Sequence, residues 1–250
     1  MYEKVAVPVV EMSRVKQFKT RLARAVRQVD STFRPSMAAK ASLLLHAGVD
    51  DFGKLSSAAV DEALDTELRV IACWFLSRLG NNEVALPSLL KCLRDNDPIL
   101  RSEAARALGT LGDAKAVPPL IHAIQADASD EVRFYSIYAL GLIGDANAVV
   151  PLIAALTDLK GVSRVRGMAA ETLSRFCDDR VVATLTSFLS DSLVEVRYWA
   201  AYALGELGAN QALPELLRLA NTDDAVTPDG ESVKEEAVDA IQKIRASKAN

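Results

Sequence analysis

Two stretches decide the fold: VRFYSIYALGLIGD at residues 132–145 and VRYWAAYALGELG at residues 196–208. Both open on Val-Arg, place Ala-Leu-Gly at the same distance, and end on a glycine eleven residues after the arginine. Working outward, the same segment recurs at Leu68-Arg69, Leu100-Arg101 and Val165-Arg166. Successive arginines are 32, 32, 33 and 31 residues apart. The eleventh residue after each is Gly80, Gly112, Gly144, Cys177 and Gly208. A degenerate copy precedes these, with Met37 at the arginine position and Gly48 at the end. Another around Ser232–Ala237 closes the chain. Self-similarity at this period is the mark of stacked supersecondary units.

Within a copy the apolar residues have helical spacing. Leu100, Ala104, Ala107, Leu108 and Leu111 fall on one stripe, as do Val196, Ala200, Ala203, Leu204 and Leu207. Alanines in the stripe let a neighbouring helix approach closely. The closing glycine supplies a left-handed C-cap, and Asp113 and Asp145 then stand as N-caps for the next helix. A second helix is predicted after each glycine, beginning near Pro87, Pro118-Pro119, Pro151 or Pro214. Each copy is then a helical hairpin that cannot bury both faces alone, and stacking completes the core. The expected fold is an all-α solenoid, a superhelix of six to seven HEAT-like hairpins. Residues 1–33 form an amphipathic N-terminal capping helix and linker, and residues 34–250 the repeat array with a C-terminal capping helix.

An aspartate stands six residues before the arginine in three copies: Asp95 and Arg101, Asp127 and Arg133, Asp191 and Arg197. An Asp at the turn and an Arg in the next helix can form charge-assisted hydrogen bonds within and between copies. This ladder reads as structural.

The pattern Asp-x-x-x-x-Val-Arg-x-x-Ala-x-x-Ala-Leu-Gly-x-Leu-Gly-Asp resembles the HEAT-like repeat of the phycobilisome-lyase family, over about residues 35–245. The resemblance implies the solenoid fold. Its members include bilin lyase and isomerase subunits, deoxyhypusine hydroxylases, alkylpurine glycosylase relatives and scaffolds, so fold alone does not fix activity. The His-Glu pairs that hold iron in the hydroxylases have no counterpart beside His46 or His122.

Composition narrows the function further. The chain has 250 residues, half of them hydrophobic, and a net charge of −4. An acidic balance disfavours phosphate tracking and hence nucleic acid as a partner. Cys73, Cys92 and Cys177 are an odd count with no metal-clip spacing. Cys177, in place of a cap glycine, reads as a small buried structural residue. No window matches a membrane span or a secretory signal, which points to a cytoplasmic protein. Asn221–Gly230 carries Asp223, Asp224 and Asp229 but lacks EF-hand spacing, and reads as an exposed loop. No catalytic residue, cofactor or metal site is predicted.

The resemblance implies that the Val-Arg helix lines the concave side, with its outward positions one, two and five residues after the arginine. They hold Trp74; Glu103 and Arg106; Phe134, Tyr135 and Tyr138; Met168 and Glu171; and Tyr198, Trp199 and Tyr202. The core stripe does not account for these aromatics. Aromatic, Met and Arg side chains carry interface hot spots, although such rings can also pack on neighbouring helices with only polar tips emerging. The expected function is a non-catalytic scaffold that binds another protein in the concave groove. The alternative, from the resemblance, is a bilin lyase or isomerase subunit. The basic face of the N-terminal helix (Arg14, Lys16, Lys19, Arg21, Arg24 and Arg27) reads as a solvated cap or an acidic-partner arm.

Overall fold

The computed structural model describes residues 9–27, 34–46, 48–49, 51–79, 82–158 and 162–247. The cap glycine expected at Gly80 lies outside them, as do residues 1–8 and 28–33 of the expected N-terminal helix and linker. The described residues form an all-α repeat solenoid, whose only extended pairing is an isolated bridge between Val226 and Ser232. The chain divides into two compact units, residues 1–116 and 117–250.

The first unit contains α1 (Val9–Arg27), α2 (Arg34–His46), α3 (Phe52–Val60), α4 (Thr66–Arg78), α5 (Asn82–Cys92) and α6 (Pro98–Leu111). The Val-Arg-type helices α2, α4 and α6 stack in one row, and α3 and α5 in the other. α1 packs on α2 and α4 through Phe18, Leu22 and Ala25, all buried. Asp51, Asp65 and Asp97 accept hydrogen bonds from the first-turn N–H groups of Lys54, Leu68 and Ile99, which starts α3, α4 and α6. Gly112 ends α6 at φ +72°, the left-handed value the repeat required of it. Pro87 departs from expectation: α5 begins at Asn82, so the proline lies inside the helix. Cys73 and Cys92, distant in sequence, are buried neighbours. The Cys92 thiol donates to the Ala59 carbonyl at 3.1 Å, and its contact with Cys73, together with burial, pushes the Cys73 thiol well up.

The second unit contains α7 (Val117–Ala126), α8 (Asp130–Ile143), α9 (Val149–Thr157), α10 (Ser163–Leu173), α11 (Asp179–Phe188), α12 (Val194–Glu206), α13 (Leu213–Thr222) and α14 (Val233–Ser247). Again the rows are regular: α8, α10, α12 and α14 stack on one another, with α7, α9 and α11 behind. Short 3₁₀ turns at Ala114–Ala116, Ala146–Ala148 and Asn210–Ala212 lead into α7, α9 and α13, whose first turns hold the expected prolines. Asp145 caps its turn through the N–H of Asn147 at 2.8 Å. Gly205 lets α14 approach to backbone contact, since a Cβ there would stand 2.8 Å from the Ala240 Cα.

The aspartates join successive copies rather than closing one. In Asp95, Asp191 and Asp223 one oxygen accepts the N–H two residues on and the other side takes the arginine of the preceding copy. These arginines are Arg69, Arg166 and Arg197, lying 25 or 26 residues earlier. Arg69 and Arg166 also reach the carbonyls of Ala59 and Leu156 in the helix behind. The relation six residues apart runs through the backbone instead. Arg101 donates to the carbonyls of Asp95 and Asn96, and Arg197 to those of Asp191 and Ser192. Asp127 accepts from the Ser129 N–H, while Arg133 pairs with Asp130 in its own helix.

Two other expectations change. Cys177 is exposed rather than buried, because it follows the end of α10 instead of closing it. The 221–230 stretch is only partly a solvated loop. Asp223 is held by Arg197 at 2.6 Å and Thr227 is buried.

Candidate functional site

In the first unit the outward positions are polar and internally matched. Trp74 is half-buried, with the Arg78 guanidinium over its ring at 4.1 Å. The Glu103 carboxylate is held by both Nε and Nη2 of Arg106, at 3.0 and 2.6 Å. Burial pushes the Glu103 carboxyl up, while Arg106, Arg78 and Lys40 pull it back without overcoming that.

The second unit carries the aromatic row. α8 presents Phe134, Tyr135 and Tyr138, α10 presents Met168 and Glu171, and α12 presents Tyr198, Trp199 and Tyr202, every one of them half-buried. They reach one face because α8, α10 and α12 stack in register, with Arg166 of α10 and Arg197 of α12 tied to Asp191 and Asp223 of the next copies. Tyr138, Glu171 and Tyr202 thus share one register position, five residues after each arginine.

The rings differ in how far the protein itself has covered them. Phe134 lies under the Arg164 guanidinium at 4.1 Å, which also pairs with Glu131 at 2.7 Å. Burial, and after it the charges of Glu236 and Glu231, hold the Tyr198 hydroxyl pKa well above the ordinary value. Trp199 is seated on α10, its Cδ1 only 2.7 Å from where a Cβ on Gly167 would be. It makes edge contacts with both Tyr198 and Tyr202, at 5.1 and 5.6 Å. Tyr202 has the Lys243 ammonium 5.2 Å from its ring centre. Phe134 and Tyr198 are therefore largely committed within the protein. Tyr135, Tyr138, Met168, Trp199 and Tyr202 remain half-exposed on the same helix row as Glu171.

Sequence reasoning missed Gly167, the floor on which Trp199 rests, and Lys243, which reaches Tyr202 from α14. A glycine inside a helix otherwise rich in apolar residues is a signal of close approach. Nothing local to Tyr202 points to Lys243. Among the described residues no group of three or more His, Cys, Asp or Glu side chains could hold a metal ion, and no helix is long and apolar enough to cross a membrane.

Comparison with known proteins accords with this architecture. The family model for HEAT repeats matches residues 54–141, 86–164, 117–191 and 151–242. No curated protein matches the sequence. Among solved structures, an engineered protein shares 22% identity over 78% of this chain and 96% of its own, at TM-score 0.53. YibA of E. coli shares 21%, covering 98% and 99% of the two chains, at TM-score 0.51. The complex of CpcE and CpcF of phycocyanin lyase from Nostoc sp. shares 23%, covering 98% of each chain, at TM-score 0.47. At these identities the likeness concerns the fold.

Proposed function

The chain belongs to the HEAT-repeat family, and from that premise we propose that it is a non-catalytic scaffold that holds a segment of a partner protein on the α8–α10–α12 face. One observation carries the reading. Five large apolar side chains (Tyr135, Tyr138, Met168, Trp199 and Tyr202) gather half-exposed on helices whose core stripe is already filled by Val132, Ile137, Leu140, Ala169, Leu173, Ala200 and Leu204. Stability does not require them outward, whereas a docking surface uses such residues as anchors. Repeat arrays suit the task, because a row of equivalent helices presents equivalent positions at regular steps.

The test is affinity capture from the lysate of the source cell, comparing the full chain with Trp199→Ala/Tyr202→Ala. Each anchor of this type contributes about 2 kcal/mol or more to binding, so the double variant should lose its partner at wash conditions the parent survives. Its helical circular dichroism should be unchanged. Absorbance of the eluate is read in parallel. Retention of every partner by the folded variant would refute the docking face. A visible chromophore bound in place of a protein would refute the scaffold reading.

A further inference from the structure

The docking face has a charge preference that identifies its occupant, provided the reading of it as a docking face holds. Charge is divided unevenly along the chain. Residues 1–116 carry 17 basic and 14 acidic side chains, a net of +3, and residues 117–250 carry 12 basic and 19 acidic, a net of −7. The aromatic row sits in the acidic unit.

Glu171 lies in the middle of that row, half-buried, in register between Tyr138 and Tyr202. Among the described residues no hydrogen bond or ion pair reaches its carboxylate. Glu103, an outward carboxylate of the first unit at a different register position (two residues after its arginine), is satisfied within its own helix: Arg106, three residues on, grips both its oxygens. Glu171 has Ser174 at that spacing instead. The nearby cations are engaged elsewhere. Arg164 lies on Glu131 and Phe134, Arg166 on Asp191, and Lys243 on Glu206 and Asp239. Arg175, four residues on, is exposed and runs along α8, its Cδ 3.2 Å from the Cβ position of Gly141. Burial raises the Glu171 carboxyl and Arg175 does not bring it back down, so the charge is incompletely compensated. Its negative field is felt by Tyr202.

The aromatic surfaces point the same way. Three rings at the outward positions already have a cation over them: Arg78 on Trp74 in the first unit, and Arg164 on Phe134 and Lys243 on Tyr202 in the second. Half-desolvated aromatic faces beside a carboxylate favour a cationic head over a neutral or acidic one.

We propose that the α8–α10–α12 face binds a basic segment of another protein, with an arginine or lysine head set on the Glu171 carboxylate between Tyr138 and Tyr202. The apolar stem of that side chain would lie along Met168 and Trp199, as long basic side chains do on apolar surface.

The experiment is selection of random 12-residue displayed peptides on the immobilised full chain, followed by titration of the enriched peptide in synthetic form. The expected consensus is net positive, with at least one invariant Arg or Lys. A charge-assisted contact of this kind corresponds to about 10- to 100-fold in affinity. Glu171→Gln should therefore weaken the peptide by that factor with circular dichroism unchanged. Replacing the invariant arginine by citrulline should do the same, and combining the two should add little further. A neutral or acidic consensus, or affinity within twofold in Glu171→Gln, would overturn the basic occupant. If Trp199→Ala/Tyr202→Ala still abolished binding in that case, the docking face itself would stand. No enrichment, or binding indifferent to the aromatic variant, would overturn both. Concentration-dependent dimerisation that Glu171→Gln abolishes would replace the foreign segment by a second copy of this chain.

Discussion

Removing the carboxylate of Asp191 should unfold the second unit far more readily than any surface charge change. The Arg166 side chain is 2% exposed and that of Asp191 7%, with Nη2 and Oδ2 2.5 Å apart. Arg166 Nε donates to the Leu156 carbonyl at 2.9 Å, and Asp191 accepts the Leu193 N–H at 2.8 Å. The guanidinium is thus the tie between α9, α10 and the turn before α12. Asp191→Ala strands it without its counter-charge, and breaking a buried pair from one side costs about 3–5 kcal/mol. The desolvation cost of the pair is large as well, so removing both charges with apolar replacements is close to neutral. Arg166→Met/Asp191→Ala should therefore recover most of the loss, leaving chiefly the hydrogen bonds to Leu156 and Leu193, about 1 kcal/mol each. Asp224→Ala, which breaks an exposed pair with Lys234, should cost about 0–1 kcal/mol. The assay is urea unfolding followed by Trp199 fluorescence in a Trp74→Phe background, where Trp199 is the sole tryptophan. A cost for Asp191→Ala below about 1 kcal/mol, or a double variant at least as unstable as the single, would refute the reasoning.

Gly205→Ala places a methyl 2.8 Å from the Ala240 Cα and 2.9 Å from its Cβ. α12 and α14 must then part, so the same unfolding assay should show a loss of about 1–3 kcal/mol despite alanine's better helix propensity. Gly167→Ala should displace the Trp199 indole, shifting its emission and acrylamide quenching while circular dichroism stays constant; unchanged fluorescence would mean the indole does not depend on that seat. Although burial pushes the Asp223 carboxyl up, Arg197 and the Ala225 N–H more than offset it and hold it below its ordinary value of 3.8. A lowered folded-state pKa stabilises above the unfolded value and is lost as pH falls through the folded one. The urea midpoint should drop below about pH 4 in the parent and drop less steeply there in Asp223→Asn.

The repeat was legible because its determinants are local. Ala and Leu at four-, seven- and eight-residue steps specify a buried helical stripe, and Gly112, Gly144 and Gly208 take the positive φ that their place after each stripe demands. The aspartate ladder was half legible. A fixed six-residue offset marks Asp191 and Arg197 as related, but the stronger contact, Asp191 with Arg166, depends on how far one hairpin carries the chain back across itself. Pro87 was misplaced because proline in a helix's first turn is common while an interior one needs a tolerant exposed site, which α5 provides. The same division governs the docking face. Helical phase alone put Tyr138, Glu171 and Tyr202 together, since each stands five residues after the arginine of its copy. Phase cannot show which rings are already covered: Arg164 comes to Phe134 from 30 residues away and covers it, whereas Lys243 reaches Tyr202 from 41 and leaves it half-exposed. That coverage separates the rings used for folding from the rings left over. It leaves Glu171 as the half-buried charge of the row without an internal partner among the described residues, which is why the face reads as a receptor for cations and not simply as an apolar patch.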